Sequence, residues 1–198
     1  MDNFKFGLFD IFTYTLPGFV IFFSLLLLYH DVDISLKVTA EQIVLLINNF
    51  SFNSIIFLFI LSYIIGFIMH FFGYLYFDFI GKRLWSKKIS RKIIDSTPND
   101  SQLVLTRHYS KENFIYIELW YALRGMSYNL SLAFLFLAII LISKIFYESL
   151  YQIQWIVLTI TCFCSSIILL DRAVTFHIWC KNTISETNQF LIKKGIMN

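Results

Sequence analysis

The chain has 198 residues, of which 58% are hydrophobic, 15% are charged and 23 are Phe, with a net charge of +3. Four apolar stretches, at about residues 11–29, 54–77, 130–146 and 155–170, take up nearly half of it. The remainder, roughly 100 residues in pieces, falls short of a conventional soluble domain of about 100–150 residues, which excludes a soluble globular protein.

A helix needs about 20 mostly apolar residues to cross the hydrocarbon core, and inside lipid its backbone polar groups must be satisfied within the helix. The pattern therefore predicts an all-α integral membrane protein, a single domain of four transmembrane helices with cytosolic helical extensions. Of the 16 Lys and Arg, only Lys37 and Lys144 fall on one side of that topology. The other 14 lie in the first ten residues, in the loop at about 78–129 or in the tail at 171–198. Basic residues near span ends stay in the cytoplasm, so both termini are expected inside. Tyr29, Tyr147, Tyr151 and Trp155 are expected at the outer interface, Trp85 and Trp120 near the inner one.

The first ten residues, MDNFKFGLFD, read as an amphipathic lead whose Phe4, Phe6, Leu8 and Phe9 lie in the inner interface. The segment that follows lacks a strongly basic start and a small-residue cleavage site, and is read as a retained span rather than a signal peptide. It contains Pro17-Gly18, which reads as a kink near its inner end or, alternatively, as a hinge. The outer loop at about 30–53 holds Thr39-Ala40-Glu41-Gln42, a capping-box pattern before the apolar run at 43–47, and predicts a short helix on the outer leaflet.

In span two, Ser62, Gly66, His70 and Gly73 recur at spacings of 4, 4 and 3 and share one face. Small residues at that spacing let another helix approach closely, and predict a packing seam. His70 lies in the same seam. It reads as a link to a neighbouring helix, with a protonation or gating role and a metal role as alternatives. Just after the span, Lys82, Arg83, Lys87, Lys88, Arg91 and Lys92 form a basic cluster. It reads as a topology signal in contact with anionic lipid, or as a docking surface for a partner.

STPNDS at 96–101 reads as a turn or linker, and 103–105 is too short to classify. From Lys111 a helical pattern runs into span three. Its early part carries Glu118 and Arg124, six residues apart and so on different faces, each free to meet a partner subunit. Spans three and four are joined by a short outer connection at about 147–153 and form an antiparallel hairpin. Thr159, Cys162 and Ser166 mark a second packing seam in span four. A helix is expected to continue through the tail to about Leu191. Cys162, Cys164 and Cys180 are not placed for a structural disulfide.

No nucleophile elbow, zincin, P-loop or dinucleotide fingerprint occurs. His70 and Asp78 are eight residues apart on one helix, about 12 Å along its axis, too far for a general-base pair. His108, His177 and Glu118 stand alone. No enzyme activity, catalytic residue, cofactor, metal or direct nucleic-acid binding is expected.

The early TLPGF at 15–19, the basic inner loop and the cytosolic extensions of spans two to four together resemble the small four-span membrane components of bacterial anti-phage defence operons. In size and topology the chain is similar to the membrane subunit of the Kiwa system. The resemblance implies a membrane-embedded sensor and scaffold that assembles as a homo-oligomer, a tetramer, and works with a separate soluble DNA-binding effector at the cytosolic face. The competing expectation is a pore-forming effector that depolarises the cell. Such effectors usually carry a ligand-sensing domain, for which the inner loop and tail leave little room.

Overall fold

The structure is a computed structural model. It describes residues 2–29, 36–49, 51–93, 100–147 and 153–195; within these, the side chains of 2–10, 36, 46–48, 100 and 101 fall outside the description. The expected placements of Phe4, Phe6, Leu8, Phe9 and Tyr151, of linker residues 96–99 and of the outer connection at 148–152 lie outside the described residues.

Among the described residues the chain is helical throughout: α1 (Asp2–Tyr29), α2 (Leu36–Asn48), α3 (Phe52–Tyr76), a π-helical turn (Phe77–Gly81), α4 (Lys82–Leu84), α5 (Ser86–Lys92), α6 (Asp100–Tyr109), α7 (Lys111–Tyr147) and α8 (Ile153–Lys193). Four helical stretches are long and apolar enough to cross a membrane: Ile11–Tyr29, Phe52–Leu84, Lys111–Tyr147 and Ile153–Lys193. α7 and α8 form an antiparallel hairpin along which Ser131 meets Ser166, Arg124 meets His177 and Asn113 meets Thr187. α1 crosses α3 and α7, and α3 also lies on α7.

The core falls into three clusters along the bundle. At one end Leu27, Leu137, Ala138, Leu141, Trp155 and Cys162 pack together. Phe77, Tyr128, Leu170, Ala173, Val174 and Ile178 form the middle cluster. Ile117, Cys180 and Ile184 form the third, with Leu103 of α6 packed against it. Expectation and structure part at several places. Trp155 is 1% exposed and fills the first cluster, so it is a core residue rather than an interfacial anchor. Lys144, counted above among the outer-side charges, is buried. Residues 103–105 belong to α6, a helix made by docking Leu103 and burying Thr106 rather than by strong local periodicity. α2 begins three residues before Thr39, so the capping-box pattern lies inside the helix, and Thr39 is buried instead of capping its start.

The π turn has a readable cause. Gly73, Phe77 and Gly81 are all buried and are spaced by four. Four exceeds the 3.6 residues of an α-helical turn, so the buried face would drift around a regular helix. A wider turn, closed by the Lys82 N–H donating to the Phe77 carbonyl, absorbs the excess and keeps that face on the bundle.

Candidate functional site

α1 and α3 cross where neither helix has a side chain in the way. A Cβ on Gly18 would overlap the Ser62 carbonyl, and a Cβ on Gly66 would overlap the Tyr14 carbonyl. The glycines thus set the interhelical distance at backbone contact, as small residues do in membrane bundles. Pro17 is fully buried and α1 runs through it as helix. Ser62 is buried in the crossing, and Tyr14 lays its ring edge-on to Tyr63 and Phe67 across the same contact.

One and two turns further along, α3 meets α7 through polar groups. Asn129 Nδ2 donates to His70 Nδ1 at 3.0 Å and lies 3.4 Å from the Thr13 carbonyl, so one amide joins α1, α3 and α7. The Tyr128 hydroxyl lies beside the same ring, 3.3 Å from Nδ1 and 3.1 Å from Nε2. The Tyr14 ring stands edge-on to His70 at 5.3 Å. Gly73 completes the node: its missing side chain leaves room for Asn129 Oδ1, which any Cβ would overlap. Ser62, Gly66, His70 and Gly73 thus all line the face of α3 that meets α1 and α7, and His70 is an interhelical link. His70→Ala is expected to cost about 1 kcal/mol in thermal unfolding in detergent, the usual worth of such a link; a loss above about 3 kcal/mol, or none, would contradict this role.

Beyond Tyr128 the contacts pass through the apolar Phe77 ring to a second polar pair, Arg124 and His177. Phe77 stacks on Tyr128 at 5.7 Å and meets His177 edge-on at 5.8 Å. Arg124 Nη1 donates to His177 Nδ1 at 3.1 Å, and its guanidinium lies 4.5 Å from the Tyr121 ring centre. Arg carries donors only, so His177 is neutral in this bond. Arg124, expected to be free for a partner subunit, is thus occupied within the chain; Glu118 remains half-buried with no ion pair among the described residues.

The basic cluster is divided by the fold. Lys82 pairs with Asp78 on its own helix. Lys88 Nζ reaches across to α8, 2.6 Å from Asp171 Oδ1 and 3.0 Å from Thr175 Oγ1. Arg83, Lys87, Arg91 and Lys92 are exposed, and none has an ion-pair partner among the described residues.

Chemically, these groups hold helices together. Among the described residues no three His, Cys, Asp or Glu side chains gather where they could hold a metal ion. Cys162, Cys164 and Cys180 are free thiols. Tyr128 and Asn129 were not singled out by sequence, and His177, read there as standing alone, is bonded to Arg124. Their one signal was polarity amid apolar helix, which does not reveal which helices they join. Comparison with family models, curated proteins and solved structures finds no significant match to this chain.

Proposed function

We propose that this chain is a multi-pass protein of the bacterial inner membrane, with both termini in the cytosol, and that it acts as the sensor and scaffold subunit of an anti-phage defence complex. It holds a soluble effector at its cytosolic face and works as a homo-oligomer, a tetramer by its resemblance to the Kiwa membrane subunit. The observation that carries the sensor and scaffold reading is the length and continuity of α7 and α8. With 37 and 41 residues they are about 55 and 60 Å long, against a hydrocarbon core of about 30 Å. Each therefore runs as one rod from within the membrane to well outside it. A tilt or slide of the packed spans is carried without a joint to the projecting end, where α5 and α6 are attached. The bonds of Asn129 and Tyr128 to His70 tie α3 to this rod, and the Arg124–His177 bond pairs α7 with α8.

The bundle axis is filled by Trp155, Phe77, Ile117 and Leu141, each essentially fully buried, which favours the scaffold over a pore within one chain. The membrane lipids are then its first partners, covering the apolar residues of α3 that face outward, such as Phe57, Phe67 and Phe71.

Topology is the first test. Reporter fusions after residue 35 and at the C-terminus should report opposite sides, with the C-terminus cytosolic. An external C-terminus would remove the scaffold reading. Expression alone should leave the membrane potential intact; depolarisation would replace the scaffold by the pore-forming effector.

A further inference from the structure

The fold sorts six neighbouring cations into two kinds. Among the described residues, Lys82 pairs with Asp78 and Lys88 with Asp171. What remains is a run of charge with no ion pair among the described residues: Arg83, Lys87 and Arg91 at spacings of four, with Lys92 beside them, all exposed. Backbone bonds from Trp85 N–H to the Gly81 carbonyl and from Ile89 N–H to the Trp85 carbonyl keep α4 and α5 close to one helical course. Positions four apart therefore lie along one edge, rising about 6 Å at each step.

The direction of this edge decides what can reach it. α5 lies along α8, with Trp85, Ile89 and Ile93 packed against the middle core cluster. At its start Lys88 holds Asp171, and at its end Asn182 Nδ2 donates to the Lys92 carbonyl at 2.9 Å. Asp171 follows the last apolar residue of span four, and Asn182 lies eleven positions further along α8. That is about 16 Å of axial rise, whereas charges in physiological salt are screened over about 8 Å. The edge thus leads away from the span end toward Lys92. Arg83, whose guanidinium is 6.0 Å from the Phe79 ring, stays within reach of headgroups; Lys87, Arg91 and Lys92 lead beyond them.

We propose that Lys87, Arg91 and Lys92, with Arg83 at the membrane-proximal end, form a docking ridge for an acidic helical segment of a soluble protein. The proposal rests on the reading above that this end of the bundle is cytosolic. Carboxylates four residues apart on a helix recur at the same 6 Å or so as the cations of the ridge, which allows several pairs to form in one register. Nucleic acid fits less well. Proteins that hold duplex DNA by charge commonly make about 6–10 phosphate contacts, more than the ridge offers. The aromatic side chain within the segment, Trp85, is packed on the core rather than offered to stack a base.

The test uses the full chain in nanodiscs of phosphatidylcholine and a fluorescent decaglutamate peptide, read by anisotropy. Binding should weaken as salt rises from about 50 to about 200 mM. Lys87→Gln/Arg91→Gln/Lys92→Gln should weaken it by about tenfold or more. The equal charge loss Lys111→Gln/Lys193→Gln/Lys194→Gln should leave it within about twofold. No peptide binding, or equal loss in both triple variants, would overturn the ridge. Abolition of binding when phosphatidylglycerol replaces half the phosphatidylcholine would assign the cations to lipid. Tighter binding of oligothymidylate through the same three residues would assign them to nucleic acid. A cytosolic C-terminus without peptide binding removes the ridge alone, whereas an external C-terminus removes the scaffold reading itself.

Discussion

Gly66→Leu should separate α1 from α3 and unfold the bundle at markedly lower temperature in detergent, with a loss of about 3 kcal/mol or more. The obstacle is backbone, not a movable side chain. Even the first carbon added at Gly66 would fall on the Tyr14 carbonyl, so an alanine there already requires the helices to part. Parting them also strains the reciprocal contact of Gly18 with the Ser62 carbonyl, because both lie on one antiparallel crossing. Leucine adds three further carbons with no cavity to receive them. Gly125→Ala supplies the contrast. A Cβ at Gly125 meets nothing nearer than 3.6 Å, at His70 Cε1 and Thr13 Cγ2. Removing a mid-helix glycine gains up to about 1 kcal/mol of helix propensity, so this variant should be neutral or slightly stabilised. Equal melting temperatures for the Gly66 variant and the wild type would show that the crossing does not hold the bundle.

That crossing was largely legible in the sequence, and the reasons mark the limit of what was not. Ser62, Gly66, His70 and Gly73 stand out because small and polar residues are scarce in an otherwise bulky span, and their period alone puts them on one face. α7 and α8 continue past their apolar stretches because no Pro or Gly cluster interrupts them. The partner across each contact is a different kind of information. Nothing near Asn129 indicates that its amide will join His70 to the Thr13 carbonyl, since that depends on the approach of three helices distant in sequence. Trp155 illustrates the same limit. A Trp at a span end has an interfacial address by composition, yet here the gap among Leu27, Leu137 and Leu141 takes it into the core. α6 was hidden because its few apolar residues acquire a helical face only once Ile117, Cys180 and Ile184 are present to cover Leu103. The π turn left a faint trace, the repeated spacing of four through Gly73, Phe77 and Gly81, which accumulates to a widened turn only when all three must face one neighbour.

Arg124 provides the second large effect, since sequence and structure assign it different work. Were it a surface charge awaiting a partner subunit, Arg124→Ala would leave the isolated chain as stable as before and change only what it captures. Its guanidinium instead donates to His177 Nδ1 and lies over Tyr121, and Nε is buried. Truncation would strand His177, which is 9% exposed, with its acceptor nitrogen unsatisfied. A stranded buried polar group costs about 1–3 kcal/mol, and the lost arginine stem and ring contact add to it. Arg124→Ala is therefore expected to lower stability by about 2–3 kcal/mol. Arg124→Lys should recover only part, because a single ammonium does not reproduce a planar group that both donates and stacks. Removing both partners discriminates most sharply. Arg124→Met combined with His177→Leu eliminates the unsatisfied atoms together, so the double variant should be more stable than the two single losses predict by about 1–2 kcal/mol of coupling. Additive losses in that cycle would mean that the two side chains do not depend on one another. If Arg124→Ala also melted like the wild type while losing a co-purifying protein, the residue would return to the surface role that its position in the sequence suggests.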